Sequence, residues 1–288
     1  MVRAIFLILI GCYAIYLQTR SIKSTCFLFA LVGPYAYFGA SIGFVLTPAK
    51  LLGLIAFVSI FLNRNFKIYE KGSKFAYFVP YFVYIVIGTV LNSFFWPSFE
   101  TNSQGFAYSN EGRWLVQLFL FVLGISLVLF LVRYIRSWTD VDKILSITLL
   151  SMLLMAICGL YVYVAQRYGL PFPSIARADG LGTKSEITTD VLGLKVVRAY
   201  SLSGEPKGLA SDMILGITLL LFVPLQNKGY LVRKFRSMPI FLLMLLVLFL
   251  TYSTAGLVIL PLAACLAGFI LVMTRLEASA VGLSLIHI

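Results

Sequence analysis

The run Ile144–Ala165, ILSITLLSMLLMAICGLYVYVA, decides the fold class. It contains no charged residue. A helix rises 1.5 Å per residue, so about 20 apolar residues cross a hydrocarbon core of about 30 Å. This run is long enough. Reading outward in both directions gives eight more apolar runs: Ala4–Leu17, Cys26–Leu46, Leu51–Asn63, Phe75–Trp96, Trp114–Ile135, Leu209–Leu225, Met238–Tyr252 and Ala255–Thr274. The first and third are short for a full crossing and are read as tilted, half-length or hairpin segments. None carries an internal Asp or Glu. Arg133 closes the fifth run, and Asp212 sits in the first turn of the seventh, where a helix dipole favours a carboxylate.

Composition agrees. The chain has 288 residues, 60% hydrophobic and 12% charged, about half the charge of a soluble domain. Disorder is excluded by the same hydrophobicity. His287 is the one histidine, so a Ser–His–Asp triad or a His-rich metal site has no other imidazole to use. Cys12, Cys26, Cys158 and Cys265 all lie in apolar runs and form no C-x-x-C. The expected fold class is all-α: a polytopic transmembrane helical bundle of about nine spans with one long external loop. Residues 1–165 are N-terminal membrane helices, 166–208 the external loop, and 209–282 further membrane helices.

Sidedness follows from Lys and Arg in short loops. One set of loops holds Arg20 and Lys23; Arg64, Lys67, Lys71 and Lys74; Arg133, Arg136 and Lys143; and Lys228, Arg233, Lys234 and Arg236. These thirteen face only Arg3, Lys50 and Arg113 in the short segments of the other side. The thirteen mark the cytoplasm, where they also hold the loops to anionic lipid. The net charge of +12 is therefore mostly a topological signal, and no basic folded domain for nucleic acid is present. The long segment 166–208 falls outside. A cleaved signal at Met1–Arg20 is the weaker reading, because no A-x-A-like site follows the apolar run.

The last six residues, Leu283–Ile288 (LSLIHI), resemble the translation of a transposon-end adapter from sequencing-library preparation. The expectation is that residues 283–288 are an artefact and that the chain is a C-terminally truncated fragment.

The external segment reads QRYGLPFPSIARADGLGTKSEITTDVLGLKVVRAYSLSGEPKG over 166–208. Pro171, Pro173 and its glycines argue against one continuous helix. It runs directly into the seventh span, so Arg198–Lys207 lies at the outer interface. Arg198, Lys207 and the positive end of the following helix form a candidate anion site, most naturally for phosphate. Arg177 is a further external cation, and Glu205 a candidate base. Arg113 opens the fifth span from outside, beside Trp114, as either an interface anchor or a second cation. Ser253 and Thr254, in the turn between the last two spans, are candidate ligand hydroxyls or close-packing residues.

Four stretches carry a resemblance to a known family: TPAKLL at Thr47–Leu52, GRWLVQL at Gly112–Leu118 followed by SWTDVDKIL at Ser137–Leu145, RAYSLSGEPKGLA at Arg198–Ala210, and LTYSTAG at Leu250–Gly256. In order and sidedness the chain resembles the O-antigen ligase and O-antigen polymerase family of bacterial envelope polysaccharide enzymes. The resemblance covers nearly the whole chain through short, degenerate motifs. The Glu205-Pro206 form of the third leans toward polymerases. The resemblance implies a glycosyltransferase of the bacterial inner (plasma) membrane with its long loop in the periplasm. It implies transfer of a glycan from undecaprenyl diphosphate to a glycan acceptor, with no nucleotide sugar, metal or other cofactor. It assigns Arg198 to the diphosphate, with Lys207 and Arg113 as lesser contacts. Thr254 stands where many relatives carry arginine. The family's later histidine-containing external loop lies beyond this chain, so the fragment is expected to be inactive alone. The rival expectation is a transporter or flippase for a lipid-linked or small solute. Such proteins place polar residues within their spans, which these runs lack.

Overall fold

The computed structural model describes residues 2–35, 38–41, 45–62, 110–171, 188–191, 194–222, 238–254, 256–262, 265 and 268. These residues are mostly α-helical. The elements are α1 (Val2–Arg20), α2 (Ile22–Val32), β1 (Ala40–Ser41), β2 (Val45–Leu46), α3 (Pro48–Leu62), α4 (Asn110–Tyr134), α5 (Trp138–Tyr168), β3 (Thr188–Val191), β4 (Leu194–Val197), α6 (Pro206–Phe222) and α7 (Met238–Leu250). A last helical run covers 256–262. The expected fourth span, Phe75–Trp96, lies outside the described residues, as do residues 283–288.

Two described helices are long and apolar enough to cross a membrane: Arg3–Arg20 and Trp138–Tyr168. Four apolar helices are shorter: Lys23–Val32, Pro48–Ile60, Leu118–Tyr134 and Met238–Leu250. The all-α class is thus observed, while a nine-span bundle is not. The second expected span shows one reason. Helix α2 stops at Val32, and the chain continues into the antiparallel pair β1–β2, with Ala40 opposite Leu46. Gly33-Pro34 explains the stop. Gly33 still has helical geometry (φ −52°, ψ −44°) and donates to the Phe29 carbonyl at 2.8 Å, but Pro34 has no N–H to continue the ladder. Proline acts in the opposite sense at the next helix. Thr47 caps α3, its Oγ1 accepting the Lys50 N–H at 3.4 Å, and Pro48 occupies the first helical position, where a missing N–H costs nothing.

The chain divides into two compact units, Met1–Asp140 with Ala176–Leu181, and Val141–Ile175 with Gly182–Ile288. In the first, α3 packs on α4 and α1 packs on α2 and α3. Its core includes Leu7, Ala14, Leu52, Ala56, Leu123 and Phe130. Gly53 permits the α3–α4 approach, since a Cβ there would sit 3.3 Å from the Leu123 backbone oxygen. Ser137 caps α5 by accepting the Asp140 N–H at 3.1 Å. The Asp140 carboxylate accepts a 2.7 Å hydrogen bond from the Lys23 ammonium. This pair joins two segments that the charge distribution assigns to one side, the α1–α2 connection and the start of α5.

The Lys23 ammonium, and then Ser137, hold the Asp140 carboxyl below its ordinary value of 3.8. A carboxyl lowered on folding adds stability above its unfolded value and loses it as pH falls through the folded one. The wild-type unfolding midpoint should therefore fall as pH drops below about 4, more steeply than that of Asp140→Asn. Lys23 is half exposed, so the difference should shrink in high salt. Identical pH profiles for the two proteins would show that the pair contributes nothing.

In the second unit α6 packs on α7, and Met155, Met213, Ile217, Met244, Val247 and Leu248 are buried. Helix α7, MPIFLLMLLVLFL, has no polar side chain. Its buried Met244, Val247 and Leu248 face inward, while Leu242, Leu246 and Phe249 are exposed at helical spacing. A helix apolar all round belongs in a core or in lipid.

Candidate functional site

The third and fourth motifs meet in the second unit. After β4 the chain runs without regular structure through Arg198–Gly204 before α6 starts at Pro206. Three contacts fix it. The Ala199 N–H donates to the Leu250 carbonyl at 2.7 Å. Arg198 Nε donates to the Thr251 carbonyl at 2.9 Å. The Ser201 hydroxyl donates to the Met155 carbonyl at 2.8 Å, in the middle of α5. The first two tie the segment to the end of α7, and the third ties it to α5.

Gly159 allows this convergence. A Cβ there would lie 2.9 Å from Leu209 Cδ2, 3.4 Å from Val247 Cγ1 and 3.6 Å from Ser201 Cβ. So α5, α6, α7 and the linking segment all touch at one glycine. Further along, Gly256 lies against Ala210, whose Cβ would be 3.0 Å from an added Cβ. The first turns of α6 are thus packed on the run 256–262.

Arg198 is half-buried. Its Nε is committed to Thr251, near the negative end of α7. No other hydrogen bond is made by its guanidinium among the described residues. The Nη1–Nη2 edge is left as the planar fork suited to a phosphate or carboxylate. Lys207 is exposed in the first turn of α6. Glu205 is half-buried and immediately precedes α6, its carbonyl accepting the Leu209 N–H at 3.1 Å and the Ser203 hydroxyl at 3.2 Å.

The two hydroxyls of the fourth motif differ. Thr254 is exposed. Ser253 is buried, and its Oγ accepts the Gly256 N–H at 3.3 Å. That is the work of a helix cap, so its hydroxyl is already engaged. Arg113 lies in the first turn of α4, within the other unit. Arg177 lies outside the described residues.

No protein family matches the chain, and no curated protein or solved structure matches it either.

Sequence reading missed Ser201, Thr251 and Gly159. Ser201 and Thr251 were visible only as members of their motifs, and Gly159 only as one small residue in an apolar run. Their roles depend on contacts across 46 and 53 positions, which local pattern does not encode. No group of three or more His, Cys, Asp or Glu able to hold a metal occurs among the described residues.

Proposed function

We propose that the chain belongs to a multi-pass glycosyltransferase of the bacterial inner membrane, one that polymerises or ligates glycans from undecaprenyl diphosphate on the periplasmic face. The supporting observation is the meeting of the third and fourth motifs, with Arg198 anchored through Nε and its Nη edge unbonded among the described residues. In the proposed reaction an acceptor hydroxyl attacks the anomeric carbon of the carrier-linked sugar. The bond from that carbon to the phosphate oxygen breaks, and negative charge develops on the departing diphosphate. A preplaced guanidinium stabilises that charge. A base must take the acceptor proton, and Glu205 is the candidate within this chain. Lys207 is a lesser phosphate contact in this reading. The Lys23–Asp140 pair supports the proposed sidedness, because it joins two segments assigned to the cytoplasm.

The test is incubation of the purified full-length protein with a lipid-linked oligosaccharide and no nucleotide sugar. Longer glycans on the carrier or acceptor support the reading. Movement of solute across a vesicle with no covalent change favours a transporter instead.

Topology has its own test. In a chain freed of its native cysteines, Gly182→Cys, in the long external segment outside the described residues, should react with an impermeant thiol reagent from the periplasm. Trp138→Cys, exposed at the start of α5, should be protected. The reverse pattern would invert the map.

A further inference from the structure

The 2.7 Å bond from Lys23 to Asp140 sets the α1–α2 connection beside the α4–α5 connection, within the first unit. Each connection carries an exposed arginine with donors to spare. Arg20 closes α1, and its guanidinium lies 5.7 Å above the Tyr16 ring, close enough for a cation–π attraction. It makes no hydrogen bond among the described residues. Arg136 donates through Nε to the Arg133 carbonyl at 3.1 Å, in the last turn of α4. Its Nη1–Nη2 edge is unbonded among the described residues. Lys23 is 47% exposed, and an ammonium has three donors, so it can serve a second acceptor beside Asp140. Asp140 itself is buried. The exposed side of the joined connections is therefore positive.

Two aromatic rings set the depth of these cations. Tyr16 is 52% exposed and Trp138 is 64% exposed. Tyr16 stands one turn before Arg20, and Trp138 two residues after Arg136. Exposed tyrosine and tryptophan at the ends of membrane helices settle at the headgroup level. The two guanidinium forks and the ammonium are thus held at the level of the lipid phosphates. A planar fork fixed by the fold can bind a phosphate directly, whereas a loose basic loop offers only long-range attraction.

We propose that the joined connections form a binding site for the headgroup of one anionic phospholipid. Arg20 and Arg136 hold its phosphodiester, and Lys23 flanks it. The lipid lies in the leaflet that the charge distribution assigns to the cytoplasm. Basic pockets between membrane helices on that side suit such headgroups. The proposal rests on the membrane orientation and is independent of the glycan reaction.

The test reads lipid affinity by native mass spectrometry of the chain taken from nanodiscs of phosphatidylglycerol and phosphatidylcholine. The wild type should retain phosphatidylglycerol and not phosphatidylcholine. Arg20→Gln with Arg136→Gln should weaken that retention about thirtyfold, as the loss of two surface cations at about 1 kcal/mol each implies. Lys228→Gln with Lys234→Gln removes the same charge from another connection of the same side, and should leave retention near the wild-type value. Asp140→Asn separates the two ideas by sign. It raises the net charge by one, so diffuse attraction would grow. It also releases Lys23 and unjoins the connections, so a built site should weaken. Equal losses in the two double variants, or tighter retention in Asp140→Asn, would overturn the proposal. So would equal retention of the two lipids, or displacement of the lipid by glycerol phosphate in solution. Failure of the orientation looks different, because Trp138→Cys would then react from the periplasm.

Discussion

Under the proposed function, Arg198→Ala is expected to lower glycan transfer about a hundredfold or more, the effect typical of removing one preplaced donor from a developing charge. Membrane-inserted protein should remain close to the wild-type amount. The lysine variant is more informative. Arg198 serves two partners at once, Thr251 through Nε and, as proposed, the diphosphate through its outer edge. Lysine has one ammonium on a flexible stem and no planar fork. If its Nζ bonds the Thr251 carbonyl it falls short of the phosphate, and if it reaches the phosphate it leaves that carbonyl unpaired. Arg198→Lys should therefore recover only a small part of the activity. Lys207→Ala, in contrast, removes an exposed cation and should cost far less. Wild-type polymer length and yield in Arg198→Ala would sink the assignment. Full activity in Arg198→Lys would show that only charge matters there.

Gly159→Leu is expected to have the largest effect on stability. The added carbons must enter space where Leu209, Val247 and Ser201 already lie within 3.6 Å of a Cβ. Overpacking of this kind costs about 1–3 kcal/mol, sometimes more. The strain falls where Ser201 is bonded to Met155, so the Arg198 segment should shift and activity should drop with stability. Gly159→Ala is the control. Its single carbon meets only the tip of Leu209, at 2.9 Å, a far smaller intrusion than leucine's, and alanine favours the helix by up to about 1 kcal/mol. Thermal unfolding in nanodiscs, with transfer assays on the same samples, gives both readouts. A leucine variant as stable as wild type would mean that the α5–α6–α7 junction is looser than described.

The longest apolar runs were legible because unbroken apolarity over about 20 residues is the mark of a helix surrounded by lipid or core on every side. Trp114–Ile135 and Ile144–Ala165 lie largely within α4 and α5, and Leu209–Leu225 overlaps α6. The run Cys26–Leu46 was misread because hydropathy outweighed Gly33-Pro34, although that pair is a strong breaker. The β3–β4 hairpin, with Thr188 opposite Val197, was hidden inside a segment read only as a loop. Its β-branched Thr188, Thr189, Val191, Val196 and Val197 around Gly193 are a recognisable strand signal. Of the site, Arg198 was legible from its motif. Its anchor on Thr251 was not. The Lys23–Asp140 pair was equally hidden, since opposite charges 117 positions apart carry no local mark.

The bond from Ser201 to Met155 also sets a depth. Helix α5 ends at Tyr168, 13 residues beyond Met155, or about 20 Å along its axis. Irregular backbone at such depth in a bilayer persists only where protein encloses it or water reaches it. Ala199, Tyr200 and Ser201 are at most 4% exposed, so protein packing supplies the enclosure here. The α5–α6–α7 junction therefore holds the backbone that carries Arg198 without help from solvent.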